Sequence, residues 1–190
     1  MLRSRSRRAL LAPLVLAVGC GGDSGGVTGP PGTLVVRLRG EAPGTAALVT
    51  FTALSVGQDG QFTPLALVDG SPRTCDLNQL TRGRSETLGT SALPPGHYGQ
   101  LRVVISSATL YFTNQANPPA CAPRIPAPRG RAASVSVPPG EVRIAAQFDV
   151  ASGATTTLTL EFDGDRSFVE TATDVWALRA VIRVASVEGP

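Results

Sequence analysis

Residues 142–150 read Val-Arg-Ile-Ala-Ala-Gln-Phe-Asp-Val, and this alternation decides the fold. Apolar side chains stand at every second position, with Arg143, Gln147 and Asp149 among the residues between them. Because successive side chains of a β-strand point to opposite faces, a period of two predicts a strand with one face on a core. A helix would place its apolar residues three or four positions apart. The stretch therefore predicts a half-buried strand.

The same period of two recurs along most of the chain from residue 33 onward. Turn residues such as Gln58-Asp59-Gly60, between strands at about 46–56 and 61–68, separate the alternating stretches. The segment 76–82 is the one candidate helix. We therefore predict one all-β domain over residues 33–187, an antiparallel β-sandwich of the immunoglobulin-like or transthyretin-like kind with seven to nine strands.

The register of these strands predicts which side chains point inward. A slip of one residue would expose the whole apolar set of a strand, so the alternation fixes the buried face. Arg143, Arg179 and Arg183 fall on the opposite face and are predicted to point to solvent, since burying an unpaired guanidinium is costly. The predicted inward residues are Leu34, Val36, Leu38, Leu101, Val103, Ile144, Phe148, Leu158, Leu160, Phe162, Trp176, Leu178 and Ile182.

Residues 1–19 have the features of an export signal. Four arginines precede an apolar run over 9–18, which is too short to span a bilayer core of roughly 30 Å. Small residues lead into Cys20, as in a bacterial lipoprotein signal, so we expect Cys20 to be lipidated and 20–32 to be a Gly/Ser/Pro-rich tether. An ordinary secreted protein cut nearby is the alternative. Gly21, with no aspartate after the cysteine, favours the outer membrane over the inner.

The charge balance argues against nucleic acid as a partner. The chain has 17 basic and 14 acidic residues, a net charge of +3. Four of the arginines lie in the export signal, so the chain after it carries 13 basic residues against 14 acidic ones. The basic character of the chain therefore belongs to the signal, and nucleic acid is not an expected partner. The expected partner is the membrane, through the lipid on Cys20.

Two cysteines remain once Cys20 is assigned to lipid. Cys75 and Cys121 form an even pair in an exported chain, where disulfides persist, and we predict a bond between them. Two free buried thiols are the alternative. A zinc site is not expected, because the chain has a single histidine, His97.

No motif in the sequence points to catalysis. His97 would have to serve every role of a catalytic triad, and no phosphate-binding glycine loop leads from a strand into a helix. We predict no enzyme, no catalytic residue and no cofactor. His97 is predicted at a turn or strand edge after Pro94-Pro95-Gly96, with the ring of Tyr98 packed at the sheet end and its hydroxyl bonded to backbone.

Asp163-Gly164-Asp165 is the one candidate metal site. Oxygen-bearing residues follow Asp163 with a spacing like that of a calcium loop, but Phe168 stands where such a loop needs glycine. Asp-Gly between two strand-like stretches is also a common hairpin signal. We therefore predict a hairpin turn and no metal, with calcium on Asp163 and Asp165 as the alternative.

The proline-rich segment 113–131 is the candidate contact surface. It is longer than most loops without structure of their own, and such loops are functional or disordered. It carries Arg124, Arg129 and Arg131, which could contact an anionic glycan or a partner protein. The alternative is a surface loop, pinned by Cys121, with solvated arginines.

Four segments together resemble a known family. The stretches CDLNQL at 75–80, LPPGHYGQLR at 93–102, TTTLTLEFD at 155–163 and LRAVIRV at 178–184 are similar, in order and spacing, to the bacterial lipoprotein family called domain of unknown function 4382. Glu161 stands where that family has aspartate. The resemblance covers most of 33–186 and implies an exported, mostly β domain with no enzymatic activity. The segment PPGHYGQLRV at 94–103 also resembles the turn and strand of transthyretin-like and carboxypeptidase-regulatory-like sandwiches, many of which are binding or structural modules.

These observations predict a lipid-anchored domain of the bacterial cell envelope. Its expected role is non-catalytic, as a binding or structural module that contacts glycan or another envelope protein. One alternative is an envelope hydrolase of the glycosidase type, whose paired carboxylates would lie about 5 to 9.5 Å apart. The other is a passive spacer.

Overall fold

The computed structural model of the chain describes residues 29–41, 46–70, 72–112 and 119–189. The expected signal peptide, Cys20 and the tether up to residue 28 lie outside the described residues. Within these ranges, no helical segment has the length and apolar character needed to cross a bilayer. The described elements are β1 Gly32–Glu41, β2 Ala46–Gln58, β3 Gln61–Leu67, β4 Arg73–Asp76, a 3₁₀ turn Leu77–Leu80, β5 Glu86–Leu93, β6 Gly96–Tyr111, β7 Cys121–Ala122, β8 Ala132–Ser136, β9 Glu141–Val150, β10 Thr155–Asp163, α1 Gly164–Ser167, β11 Phe168–Ala172, β12 Val175–Leu178 and β13 Ile182–Glu188.

The predicted alternation is confirmed in the strands that form the core. Eleven of the thirteen residues predicted to point inward are buried, while Trp176 and Ile182 are half-buried and pack against the core from its margin. β13 is one end of the sheet and β12 lies beside the other, so fewer neighbours cover these two side chains. Arg143, Arg179 and Arg183 are exposed, as predicted.

The strands form a curled mixed sheet in the order β11-β12-β8-β6-β2-β3-β5-β1-β10-β13, with β9 beside β6 and β4 beside β2. The β3 strand passes from β2 to β5, and β9 contacts β13, so the two halves of the sheet come together around the core. The all-β prediction is confirmed, and the count of seven to nine strands is too low for the described residues. The immunoglobulin-like or transthyretin-like sandwich stays a prediction.

The prediction of purely antiparallel pairing is wrong at two places. β1 runs parallel to β10 from Thr33 opposite Thr155 to Glu41 opposite Asp163, and β12 runs parallel to β8. Side chains alternate in the same way in parallel and antiparallel strands, so the period of two reports the buried face but not the direction of pairing.

Glu161 is buried on the outer side of the β1–β10–β13 pairing. It stands opposite Arg39 of β1 and Arg183 of β13, and its two carboxylate oxygens are paired with those guanidinium groups. The Glu161 side chain is 4% exposed, whereas those of Arg39 and Arg183 are 40% and 64% exposed. The arginines therefore cover the carboxylate while they remain hydrated themselves, which lowers the cost of burying the charge.

The hairpin predicted at Asp163-Gly164-Asp165 is wrong. Asp163 caps the short helix α1, where its side chain accepts a hydrogen bond from the backbone N–H of Arg166 at 3.0 Å. The chain then enters β11, which pairs with β12 and not with β10. A side chain that caps a helical turn competes with the hairpin, because both use the same local backbone groups.

The segment 76–82 forms only the 3₁₀ turn Leu77–Leu80. Asp76 caps it by accepting from the N–H of Asn78 at 3.0 Å. Burial raises the pKa of Asp76, and hydrogen bonds from the backbone of Asn78 and Ala47 offset part of that effect. The candidate helix is therefore confirmed as one turn.

The predicted disulfide is confirmed. Cys75 of β4 lies opposite Cys121 of β7, with 4.1 Å between their Cα atoms and the two sulfurs bonded. The bridge holds the segment after residue 118 against the sheet, and Ile125 of that segment packs into a second small apolar cluster with Leu48 and Tyr111.

Loss of this bridge should destabilise the fold. The double substitution Cys75→Ala/Cys121→Ala is expected to lower the free energy of unfolding by about 4 kcal/mol in the chain-entropy account, since the two cysteines are 46 positions apart. Urea denaturation of the full chain, followed by Trp176 fluorescence, measures the change. Reductant should shift the wild-type midpoint and leave the variant unchanged; equal midpoints for both proteins would contradict the expectation.

Candidate functional site

An open groove lies where the β2–β3 hairpin meets the start of β6. We call it the His97 groove; it has a volume of about 440 Å³. The two-residue turn Asp59-Gly60 joins β2 to β3, with φ of 48° and 80°, the left-handed geometry that matches the twist of paired strands. The turn predicted from Gln58-Asp59-Gly60 is thus confirmed. The residues that line the His97 groove are Gly57, Asp59, Gly60, Phe62, His97, Gly99, Gln100 and Arg102.

Glycine forms part of the groove wall because side chains would fill it. Gly57 stands opposite Phe62 in the hairpin, and a Cβ atom at Gly57 would come within 2.7 Å of the Phe62 ring. The ring therefore lies flat across the backbone of β2, which only glycine permits. Nothing lies within 4 Å of where a Cβ of Gly60 would be, so the turn itself stays open.

Arg102 covers the other face of the Phe62 ring. Its guanidinium carbon lies 3.2 Å from the ring centroid, its Nη1 lies 3.1 Å from Oε2 of Glu141, and its Nε donates to Oε1 of Gln100. This cation–π stack and ion pair fix a long side chain that would otherwise move freely. The result is a rigid polar wall on one side of the groove.

His97 is held between two acceptors of β9. Its Nδ1 lies 2.9 Å from Oδ1 of Asp149, directly across the strand pair, and its Nε2 lies 2.6 Å from Oε1 of Gln147. Gln147 donates its own Nε2 to the carbonyl of Gly99, which turns its oxygen toward the imidazole. With an acceptor at each ring nitrogen, the doubly protonated ring fits best, and the hydrogen bond to Asp149 raises the pKa of His97 above its ordinary value.

Tyr98 anchors the same strand from the inner face. Its ring stacks on Phe148 with 5.5 Å between centroids, and its hydroxyl donates to the carbonyl of Pro94 at 2.9 Å. The predictions for His97 at a strand edge and for the Tyr98 hydroxyl on backbone are both confirmed. The buried tyrosine fixes the direction in which its neighbour His97 points out of the sheet.

The three arginines predicted as a contact surface are all exposed, but only Arg131 has a defined place. Its guanidinium lies 4.6 Å from the Phe112 ring centroid and 3.3 Å from Oδ1 of Asp174. Arg124 and Arg129 have no side-chain partner among the described residues. Residues 113–118 of this segment lie outside the described part of the chain. The arginines do not line the His97 groove.

The candidate calcium residues are used in other ways. Asp163 caps α1, Asp165 is exposed, and Ser167 donates its hydroxyl to the carbonyl of Asp163. Asp174, further along the chain, pairs with Arg131. Across the described ranges, no three or more His, Cys, Asp or Glu side chains converge to hold a metal.

The His97 groove offers donors and acceptors in fixed positions but no activated nucleophile. Both nitrogens of His97 already have partners, so the ring has no free nitrogen with which to take up a proton from a substrate. Asp149 is 80% exposed and keeps free lone pairs. Planar polar groups around a glycine-lined groove suit a ligand with many hydroxyl groups.

Sequence reasoning missed most of this groove. Asp59 and Phe62 belong to one hairpin and His97 to a distant strand, and only the pairing of β2 with β6 brings them together. The available signal was Gln147 and Asp149, two polar residues that alternate on the outer face of β9.

The fold and the groove define a class: an all-β, disulfide-bonded domain with a polar groove. Residues 32–180 match the family described as domain of unknown function (DUF4382), and the chain belongs to that family. Neither a comparison with curated proteins nor one with solved structures gives a match.

The two hydrogen-bond acceptors beside the His97 ring predict a raised pKa for this histidine, which can be measured. We expect the pKa of this single histidine to exceed about 6.5 and to fall in Asp149→Asn, because the charged acceptor favours the imidazolium. A raised pKa means that the stabilisation is full below the unfolded-state value and is lost as pH rises through the folded-state value. NMR of the imidazole protons across pH 5–9 measures it.

The matched control is Asp165→Asn, an exposed carboxylate that makes no contact with His97. This variant should leave the His97 titration unchanged. A wild-type pKa at or below the ordinary value, or one that Asp149→Asn does not lower, would contradict the geometry.

Proposed function

We propose that this protein is a lipid-anchored, non-catalytic module of the bacterial cell envelope that binds glycan in the His97 groove. The observation that carries the proposal is the polar set formed by His97, Gln100 and Arg102 beside the glycines that line the groove, with Asp149 holding His97 in place. Fixed side chains lose little conformational entropy on binding, so weak hydrogen bonds to hydroxyl groups can add up to useful affinity.

The shape of the groove supports a chain-like ligand. It is open to solvent, with the His97 side chain 58% and the Asp149 side chain 80% exposed. An extended polymer can lie across such a surface without being enclosed, whereas a small substrate held for catalysis is normally buried. The groove also has both cations and carboxylates at its margin, which favours a neutral or zwitterionic saccharide over a strongly anionic one.

The non-catalytic assignment has its own support. Asp149 lies 2.9 Å from Nδ1 of His97 and Glu141 lies 3.1 Å from Nη1 of Arg102, so both carboxylates already have a cationic partner. A glycosidase needs one carboxyl group that holds a proton. We also propose that the curled sheet is a sandwich of the immunoglobulin-like or transthyretin-like kind, a scaffold that carries binding surfaces at its ends and edges.

Binding can be tested with a panel of fluorescent oligosaccharides and soluble peptidoglycan fragments. The full chain in neutral detergent micelles should bind at least one neutral or zwitterionic saccharide, and Gln100→Ala should weaken binding about two- to tenfold through the loss of one hydrogen bond. Asp149→Asn should weaken it by a similar factor or more, because the carboxylate also holds His97.

Arg124→Gln/Arg129→Gln is the matched control on the other candidate surface. Binding that falls in this variant but not in the groove variants would place the contact on the 119–131 segment and overturn the groove. Cleavage of any saccharide would overturn the non-catalytic assignment. A panel with no binder, together with capture of one specific envelope protein, would favour a protein partner.

The anchor is proposed from Cys20 and the signal before it. Expressed in a bacterium with a lipoprotein pathway, the wild-type chain should partition into the detergent phase and sediment with outer-membrane vesicles, while Cys20→Ser should remain unprocessed or enter the aqueous phase. Asp165→Asn, which spares both the signal and the disulfide, is the control. Wild-type protein in the aqueous phase would contradict the lipid anchor.

A further inference from the structure

A second cavity lies between the β8–β9 turn and the link from β12 to β13. We call it the Arg179 cleft; it has a volume of about 400 Å³. That volume is at the lower end for small-molecule sites. The β8–β9 turn supplies Val137, Pro138 and Pro139, and the opposite wall consists of Leu178, Arg179 and Ala180.

The walls of this cleft are apolar and stiff. Its lining includes Ile105 and Leu178, both at least 94% buried. Pro138 and Pro139 form one side, and their rings fix the backbone φ angles, so this wall changes little on binding. A preformed apolar cleft binds a matching apolar chain without first having to order its own side chains.

The opposite wall is held in place by Ser167. The backbone N–H of Arg179 donates to the carbonyl of Ser167 at 2.8 Å, and the N–H of Val181 donates to the Ser167 hydroxyl at 2.8 Å. Ser167 is fully buried and lies at the end of α1. The link that carries Arg179 is therefore fixed on both sides of that residue.

The positive charge of Arg179 at the mouth of the cleft is not paired with a carboxylate of the described residues. Glu141 also lines the cleft, but its carboxylate is paired with Arg102 at 3.1 Å. Arg179 is exposed and has no side-chain partner among the described residues. An apolar cleft with one free guanidinium at its rim is complementary to an apolar ligand that ends in one anionic group, and the planar guanidinium matches a carboxylate with two parallel hydrogen bonds.

We infer that the Arg179 cleft binds a medium-chain aliphatic monocarboxylate, of about eight to twelve carbon atoms, given the size of the cleft. The alkyl chain lies against Ile105, Leu178 and the two prolines, and the carboxylate pairs with Arg179. This binding is independent of the glycan proposed for the His97 groove. It would let an envelope protein that contacts glycan also retain a small amphiphile.

A photoreactive decanoate that carries an aliphatic diazirine tests the inference with site resolution. The full chain in neutral detergent is illuminated with the probe, and mass spectrometry locates the labelled residues, so partition of the probe into micelles does not obscure the result. Label is expected within 137–142 or 178–180, and unlabelled decanoate should displace it. Each methylene removed from the competitor should weaken displacement by up to about fourfold.

Matched probes and variants isolate the role of the charge. The amine and alcohol of the same chain length should label these residues at least about fivefold less than the carboxylate. Arg179→Gln should reduce labelling about tenfold, Arg179→Lys should retain part of it, and Arg129→Gln, a loss of charge elsewhere, should leave it unchanged. Equal thermal midpoints show that each variant is folded.

Three labelling results would overturn the inference. They are label confined to residues outside the cleft, equal labelling by the amine and carboxylate probes, and undiminished labelling of folded Arg179→Gln. Displacement by anionic phospholipid vesicles or by a peptide with an apolar C-terminus, but not by decanoate, would also overturn it, since either would assign the cleft to another class of ligand. A glycan-binding defect in the groove variants would leave this experiment unaffected.

Discussion

The parallel pairing of β1 with β10 is the constraint on which the rest of this structure depends. It joins the beginning of the described chain to a strand more than a hundred residues later, and it places β1 between β5 and β10. Parallel neighbours cannot be joined by a tight turn, so the chain between them must leave and return, and here that chain forms most of the sheet. Leu34, Val36 and Leu38 supply the apolar face of this pairing, and Glu161, neutralised from both sides, is accommodated on its other face.

The two candidate sites lie on different halves of the sheet. β10 ends in the cap at Asp163, and the buried Ser167 that follows fixes the backbone on which Arg179 stands. On the other half of the sheet, the β6–β9 pairing sets His97 between its two acceptors. Glu141 belongs to both regions, because it lines the Arg179 cleft while it pairs with the arginine of the His97 groove. That ion pair orders the groove and at the same time leaves the guanidinium of the cleft unmatched.

The sequence predicts features that local chemistry decides and not those that depend on distant partners. Alternation identified the buried faces, an even cysteine count gave the disulfide, and Asp59-Gly60 gave a hairpin. The direction of β1 against β10 was not predictable, since both directions share one side-chain period. Burial of Glu161 depends on arginines 122 and 22 positions away. From the alternation of polar and apolar residues in β10 alone, Glu161 is expected to be an ordinary solvent-facing carboxylate. At Asp163 the local signal was ambiguous, because an aspartate can begin a hairpin or cap a helical turn.

Native-state hydrogen exchange of the full chain tests the central role of the β1–β10 pairing most directly. If the pairing holds the sheet together, the hydrogen-bonded amides of 33–41 and 155–163 exchange only when the whole domain unfolds, with one shared opening free energy that denaturant lowers in parallel for both strands. Amides of β11 and β12, at the far end of the sheet, should open at lower free energy. Exchange of the β1 amides through a local opening, while β10 stays protected, would contradict the account.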